Sequence, residues 1–354
     1  MKKISGILNI AAAVLMSVLF IGTAAYGEAA EARPAAAYTE VTERKKVVAC
    51  GTPFGIKMLT DGVIVTDFGA VNGRLSQQSP AEAAGIRKGD IIRAVNGITI
   101  TDSLSVSEAV QNDPVCTIDV LRGGEELTFT ANALESATDG EYRLGIWTKD
   151  SVAGIGTMTF YDPDTGRFAG LGHGISDTSS GVRMPLLSGE ITAVSVTDVI
   201  RGAAGSPGEL CGAFISSVEL GTITLNSELG VFGECTAPPI LAEPVEVARK
   251  DEVKAGKAVI YSTTGGMMPE EYEIEIVSID RGSDSPVRNM TIRVTDPELL
   301  ARTGGIVQGM SGSPILQDGR LVGAVTHVLV NDAAMGYAVF AENMLSELYT
   351  DMQQ

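Results

Sequence analysis

The pattern of apolar and polar positions divides the chain into an apolar N-terminal stretch, a mixed region and a long β-rich region. After residue 140, short runs of alternating apolar and polar residues are separated by Gly, Asp and Pro, which is typical of strands in a sandwich or barrel. Few helices are expected there before the last dozen residues. The predicted strands are 158–161, 191–196, 221–225, 245–248, 258–261, 272–279 and 290–294.

The first 27 residues have the pattern of an export signal. An apolar stretch covers residues 7 to 25 and follows Lys2 and Lys3. Its length lies between that of a signal peptide and the roughly 20 residues of a minimal spanning helix. Residues 1–27 are therefore predicted to be a cleaved signal peptide or a retained membrane anchor. The two lysines should stay in the cytoplasm, which places the rest of the chain outside it. A tether, residues 28–49, is expected to follow.

Residues 50–135 predict a small α+β domain. Ser79 followed by Pro80 is a helix start, and Gly85 is a helix stop. Asn96-Gly97 predicts a tight hairpin turn. The remaining predicted elements are a strand at 91–95, a helix at 105–111 and a hairpin formed by 117–122 and 126–130.

Composition restricts the chemistry more than the fold. The 354 residues fit roughly two domains. With 26 basic and 44 acidic residues and no dense basic run, the chain is not expected to bind nucleic acid. His173 and His327 are the only histidines, and the cysteines show no C-x-x-C spacing, so neither a metal nor a cofactor is expected. One or two disulfides remain open among Cys50, Cys116, Cys211 and Cys235.

Two glycine-rich strings carry candidate chemistry. Residues 170–177 read Gly-Leu-Gly-His-Gly-Ile-Ser-Asp, and residues 304–315 read Gly-Gly-Ile-Val-Gln-Gly-Met-Ser-Gly-Ser-Pro-Ile. A serine on a tight turn presents its hydroxyl beside free N–H groups, and acyl transfer needs that combination. His173 is the candidate general base, with His327 a wall of the cleft. The residues alone leave the third position of a triad open among Asp177, Asp198, Asp280 and Asp296.

The string from Ser79 to Gly97 resembles a PDZ domain of the kind found in bacterial proteases. This resemblance implies that an extended peptide adds to a sheet edge while backbone N–H groups of a loop hold its terminal carboxylate. The expected loop is Gly55, Ile56, Lys57 and Met58. The alternative is a small domain that only packs on its neighbour.

Residues 309–314 resemble the nucleophile loop of chymotrypsin-fold serine proteases. The resemblance implies that Ser311 is the nucleophile and that the N–H groups of Gly309 and Ser311 form the oxyanion hole. Met310 replaces the usual acidic residue, so activation by a new N-terminal ammonium is excluded. Gly305 matches the floor of the specificity pocket, which disfavours Arg or Lys in the substrate. The expected substrate cleft comprises Gly305, Gln308, Thr326 and His327.

Taken as a whole, the chain resembles the stage IV sporulation protein B peptidases. Leu-Gly-His173-Gly-Ile-Ser-Asp, Thr-Asp296-Pro-Glu-Leu-Leu and Gly-Met-Ser311-Gly-Ser-Pro-Ile match that family's triad segments. The implied fold is mainly β: an N-terminal membrane or signal segment, a PDZ domain at 50–135 and a C-terminal chymotrypsin-like double β-barrel serine peptidase domain at 140–354. The implied triad is His173, Asp296 and Ser311.

The same resemblance implies what the peptidase cuts and where. It implies export across, or anchoring in, the forespore inner membrane, self-cleavage within 28–49, and cleavage of a membrane-bound inhibitor of an intramembrane protease. The PDZ ligand would be the target or the chain's own N-terminal region. Two other functions stay open at this point: a catalytically silent peptide-binding adaptor, and a structural coat protein.

Overall fold

The computed structural model describes residues 44–74 and 76–350. The predicted signal or anchor segment, 1–27, and residues 28–43 of the predicted tether lie outside the described residues. Within the described part, no helix is both long enough and apolar enough to cross a membrane.

Strands dominate the described residues, and four helices accompany them. The first ten strands are β1 (Lys46–Ala49), β2 (Pro53–Phe68), β3 (Val71–Asn72), β4 (Gln77–Gln78), β5 (Ile91–Val95), β6 (Ile98–Thr99), β7 (Val115–Arg122), β8 (Glu125–Asn132), β9 (Leu134–Glu135) and β10 (Tyr142–Arg143). The others are β11 (Ile146–Tyr161), β12 (Arg167–Gly170), β13 (Leu186–Ile200), β14 (Glu209–Ser227), β15 (Gly230–Cys235), β16 (Val245–Glu246), β17 (Gly256–Ser262), β18 (Glu270–Ile279), β19 (Met290–Val294), β20 (Pro314–Gln317), β21 (Arg320–Leu329) and β22 (Asp332–Phe340). The helices are α1 (Pro80–Ala83), α2 (Ser103–Asn112), α3 (Pro297–Thr303) and α4 (Ala341–Thr350).

Two barrels form the expected peptidase part, as the resemblance to chymotrypsin-fold serine proteases implied. In the first, the order β11-β12-β15-β14-β13-β2 returns to β11 because β2 and β11 also pair with each other. The second is a closed barrel with the order β17-β18-β19-β22-β21-β20. Each has its own buried core, and a third apolar cluster, which includes Phe160, Phe232, Leu321 and Met344, joins α4 to strands of both.

The PDZ part contains the helix start and the hairpin turn that the sequence predicts. Ser79 caps α1 by accepting the Glu82 N–H, and Pro80 is its first residue. Asn96 and Gly97 have φ of 52° and 75°, as a tight hairpin turn requires. The predicted strand 91–95 has the predicted bounds, and the other predicted helix and hairpin are each slightly longer than expected.

The boundary between the two parts is not where the sequence placed it. The 16-residue strands β2 and β11 pair from Pro53–Thr157 at one end to Phe68–Ile146 at the other. At the first end they belong to the barrel, and at the other end β2 pairs with β5 of the PDZ sheet. The PDZ part therefore lies between two barrel strands, and the barrel includes the first residues of β2 as well as strands after residue 140.

The predicted tether also needs correction at its C-terminal end. Lys46 and Val47 pair with β16, while Val48 and Ala49 pair with β11. The backbone of these residues is held inside a sheet, so residues 46–49 are not a tether. Arg44, two residues before the strand, makes two hydrogen bonds to the Glu252 carboxylate, 2.7 and 3.0 Å long.

Candidate active site

The loop of Ser311 is shaped by two glycines in the left-handed region. Gly309 and Gly312 have φ of 95° and 96°. A Cβ at Gly312 would lie 2.0 Å from the carbonyl oxygen of Thr157, so this position accepts only glycine without rearrangement. The loop leaves the N–H groups of Gly309 and Ser311 without an acceptor among the described residues, whereas Met310 and Gly312 donate to backbone carbonyls.

His173 follows β12 in a loop that contacts the same cavity as Ser311. Its Nδ1 lies 3.0 Å from the carbonyl oxygen of Gly174. A carbonyl only accepts, so Nδ1 carries the proton and the lone pair is on Nε2, which is the tautomer a general base needs. Burial lowers the pKa of His173, and the bond to the Gly174 carbonyl opposes that effect. His173 is therefore neutral at pH 7.

The two side chains share a cavity but are not hydrogen-bonded to each other. The Ser311 hydroxyl donates to the carbonyl oxygen of Thr326, 2.8 Å away. The shared cavity has a volume of about 240 Å³ and is lined by His173, Gln308, Gly309 and Ser311. Its other walls are mainly apolar and consist of Ile56, Val152, Gly154, Ile155, Leu171 and Ile175. Proton transfer to Nε2 requires the Ser311 hydroxyl to turn away from Thr326, and catalytic hydrogen bonds commonly tighten only when substrate binds.

His327 lies against the general-base candidate. The two imidazole rings are 4.8 Å apart between centroids and tilted by 35°. Burial, with smaller contributions from His173 and Arg288, lowers the pKa of His327 to about 4, so it is neutral at pH 7. Its Nδ1 is buried and has no hydrogen-bond partner among the described residues. Both histidines also line a second cavity of about 710 Å³, together with charged side chains such as Arg183 and Glu228.

The remaining predicted cleft residues are only partly brought together. Gln308 lines the cavity of Ser311, and Thr326 supplies the carbonyl to which Ser311 donates. Gly305 is instead buried against Ala333, where a Cβ would lie 2.0 Å from the carbonyl oxygen. It does not line the cavity.

The structure does not bring Asp296 to His173. One carboxylate oxygen of Asp296 accepts the N–H groups of Glu298 and Leu299, and so caps the N-terminus of α3. The other accepts the Glu273 N–H at 3.3 Å. The imidazole of His173 meets the Gly174 carbonyl rather than a carboxylate. In this arrangement Asp296 is a helix cap, and its role as the third member of the triad stays a prediction.

The other three carboxylates do not fill the third position either. Asp177 accepts four hydrogen bonds from Ser179 and Ser180 and lies 3.7 Å from the Lys149 ammonium, so it organises its own loop. Asp198 and Asp280 are exposed and accept nearby backbone N–H groups. Within the described residues, no group of His, Cys, Asp and Glu is arranged to hold a metal ion. All four cysteines are unpaired.

The predicted carboxylate loop of the PDZ part is wrong. Gly55, Ile56, Lys57 and Met58 lie in β2 and pair with β11 on one side and β13 on the other. Their backbone groups are therefore occupied by neighbouring strands and do not face a peptide.

The structure offers a groove elsewhere, between α2 and the start of β11. Its cavity is about 360 Å³. At one end the chain turns at Gly145, with φ of 70°, and the N–H groups of Leu144 and Gly145 have no acceptor among the described residues. Such a turn before a free strand edge is the arrangement that holds a terminal carboxylate. The groove is lined by Val106, Ser107, Val110, Leu144, Ile146 and Trp147, among others.

Known proteins resemble both parts of the chain. The family model for SpoIVB peptidase S55 matches residues 140–345, more than half of the chain, and a PDZ domain model matches residues 74–122. Serine protease HTRA3 of Rattus norvegicus is 39% identical over 69 residues, 18% of this chain and 15% of that protein. Serine protease HTRA1 of Xenopus laevis is 37% identical over 57 residues, 16% of this chain and 12% of that protein. The chain thus spans less than a fifth of these relatives' length.

The chain is also similar to solved structures, at a lower sequence identity than to these relatives. The active form of the Rv3671c protease from M. tuberculosis has a TM-score of 0.34 and 16% identity, and covers 56% of this chain and 74% of that chain. Its inactive form has a TM-score of 0.33 and 16% identity, and covers 56% of this chain and 85% of that one.

Proposed function

The chain belongs to the SpoIVB peptidase S55 family and is a serine endopeptidase with a PDZ domain, and we propose that it cuts itself ahead of Arg44 and then cleaves a membrane-bound regulatory protein. That cleavage activates an intramembrane protease that controls late sporulation transcription. The peptidase acts outside the cytoplasm, exported across or anchored in the forespore inner membrane. Family membership supports this role, and the basic, then apolar, N-terminal sequence supports export.

The proposed mechanism uses His173 and Ser311. The Ser311 hydroxyl turns from Thr326 to Nε2 of His173, which takes its proton as the oxygen attacks the peptide carbonyl. The N–H groups of Gly309 and Ser311 hold the oxyanion, and the Gly174 carbonyl accepts from Nδ1 of the imidazolium. His173 then gives the proton to the leaving amine. Water, activated in the same way, releases the acyl group and restores Ser311.

The observation that most strongly supports this mechanism is the pair of free donors beside the serine. Within the described residues, the N–H groups of Gly309 and Ser311 have no acceptors, and both residues border the cavity that also contains His173. Buried or half-buried donors are normally paired, so leaving two unpaired at one place is costly unless a ligand oxygen fills it. A silent adaptor would need only the groove beside α2, and the free donors favour the peptidase mechanism over that alternative.

Self-cleavage should occur before residue 44. An extended chain must enter the cleft, and each residue from Lys46 to Ala49 is already paired with a neighbouring strand, either β16 or β11. Purified full-length protein should therefore acquire a new N-terminus before Arg44, and the Ser311→Ala variant should not. Intact-mass and N-terminal mass spectrometry would measure this. A cut inside β1, or the same cut in the Ser311→Ala protein, would contradict the proposal.

We further propose that the PDZ groove binds the carboxylate end released by self-cleavage. A peptide of the ten residues before the mapped cut should bind with a free C-terminus and at least tenfold more weakly when amidated. Ser107→Trp fills the groove from an exposed position on α2 and should weaken binding at least tenfold. Lys57→Ala, on the wrongly predicted loop, should change nothing. Fluorescence anisotropy measures the binding of the two peptides and the effect of the two variants. A loss of binding confined to Lys57→Ala would restore the predicted loop at residues 55–58.

A further inference from the structure

One strand, β11, contacts three parts of the proposed machinery: the groove beside α2, the cavity of Ser311 and the nucleophile loop. Its first residues, Ile146 and Trp147, line the groove beside α2. Val152 and Ile155 line the cavity of Ser311. Thr157, two residues further, contacts the nucleophile loop itself. No sequence pattern singles out Thr157, because an isolated threonine in a β-rich run is typical of any strand.

Thr157 holds the nucleophile loop through both of its donors. Its N–H donates to the carbonyl oxygen of Ser311 at 3.0 Å, and its hydroxyl donates to the carbonyl oxygen of Gly309 at 2.7 Å. The side chain is in a fully enclosed position, with 2% of the residue exposed. These are the carbonyls of the same two residues whose N–H groups are free.

The Gly309 carbonyl is the one that needs a side chain to hold it. Gly309 has φ of 95°, and without a Cβ it has access to several backbone conformations of similar energy. A rotation at this residue would turn the flanking peptide groups and move its N–H away from the cavity. The Thr157 hydroxyl opposes that rotation with a short hydrogen bond from a buried side chain.

We propose that Thr157 is a positioning residue that fixes Gly309 so that the two N–H groups point at the substrate carbonyl. It touches no substrate and acts only through the loop. The proposal rests on the proposed mechanism, because it assumes that Gly309 and Ser311 form the oxyanion hole. Fixed donors stabilise charge that develops in the transition state more than they stabilise bound substrate. Loss of the Thr157 hydroxyl should therefore lower kcat.

The test compares two variants that differ at the hydroxyl. Thr157→Val keeps the shape and removes the donor, whereas Thr157→Ser keeps the donor. Full loss of one oxyanion donor costs about 10²- to 10³-fold in kcat, so a misplaced donor in Thr157→Val should cost about 10- to 100-fold. We expect KM to change less than about twofold, because ground-state binding is largely unaffected. Thr157→Ser should stay within about threefold of the wild type.

A transition-state analogue separates positioning from a merely structural role. Affinity for a peptide boronate, whose tetrahedral adduct occupies the oxyanion hole, should fall in Thr157→Val by about the factor lost in kcat. A structural defect would lower the folded fraction and the active-site titre instead, leaving kcat per titrated site unchanged. That result, or equal kcat in the Val and Ser variants, would overturn the proposal.

The Ser311→Ala protein, measured in the same assay, distinguishes this failure from failure of the mechanism. If Ser311→Ala is inactive while Thr157→Val is normal, only the role of Thr157 is wrong. If Ser311→Ala retains activity, the site assignment is wrong, and the role of Thr157 is overturned with it.

Discussion

Replacing Ser311 with alanine should reduce peptide hydrolysis by about 10⁶-fold, since nucleophile and base act as a unit in serine peptidases. The loss should appear in kcat, and the variant should unfold like the wild type, because the Ser311 hydroxyl makes a single hydrogen bond, to the Thr326 carbonyl. Active-site labelling with a fluorophosphonate probe should disappear together with turnover.

Ser313 is the matched control within the same loop. It is fully buried, and its hydroxyl lies 3.2 Å from the Ser262 hydroxyl, away from the cavity of His173. Ser313→Ala should therefore keep its activity and its labelling, at a cost of about 1 kcal/mol in the free energy of unfolding. Labelling that survives in Ser311→Ala but is lost in Ser313→Ala would move the nucleophile to Ser313.

Local chemistry made much of the fold predictable. Pro80 behind Ser79 and the Asn96-Gly97 turn act over a few residues, and the structure has both as expected. The same holds for the glycines around Ser311, whose left-handed conformations the sequence pattern predicted as a tight turn. These features depend on backbone preferences that no distant residue changes.

Pairing between distant strands determines two features that the local sequence does not predict: the carboxylate loop and the position of the PDZ part. Gly55-Ile56 and Gly145-Ile146 are both a glycine followed by an apolar residue, and either is consistent with a carboxylate loop. Only the strand partners distinguish them: β2 is paired on both sides at Gly55, while Gly145 turns at the end of a groove. The insertion of the PDZ part between β2 and β11 was hidden for the same reason, since their contact spans the whole inserted domain.

Asp296 carries two sequence signals at once, a resemblance to a triad segment and a helix start. Asp followed by Pro and Glu is itself a local signal for a helix N-terminus, because the side chain accepts the first free N–H groups and Pro fits the first turn. The structure uses Asp296 in this way. The carbonyl of Gly174, which orients His173, had no sequence signal, because every residue has a backbone carbonyl.

Replacing His173 with alanine should cost as much activity as removing Ser311, about 10⁶-fold, because neither acts without the other. The wild-type dependence of kcat/KM on pH should show the same base. Burial lowers the pKa of His173 from 6.5, so the neutral, proton-accepting form persists below pH 6.5. Activity should therefore be constant at neutral pH and fall through an acid limb whose midpoint lies below 6.5. A midpoint above 6.5 would contradict a buried neutral base.

Asp296→Asn provides the contrast that decides how His173 is oriented. A triad aspartate changed to asparagine loses about 10⁴-fold in kcat, because the imidazole adopts the wrong tautomer. Asn caps a helix about as well as Asp, and the Gly174 carbonyl keeps its bond to Nδ1, so Asp296→Asn should stay within about threefold of the wild type. Asp296→Ala should lower the free energy of unfolding by about 1 kcal/mol. If Asp296→Asn instead loses about 10⁴-fold while its stability is unchanged, the carboxylate must reach His173 during turnover. The Gly174 carbonyl would then be insufficient to hold the base.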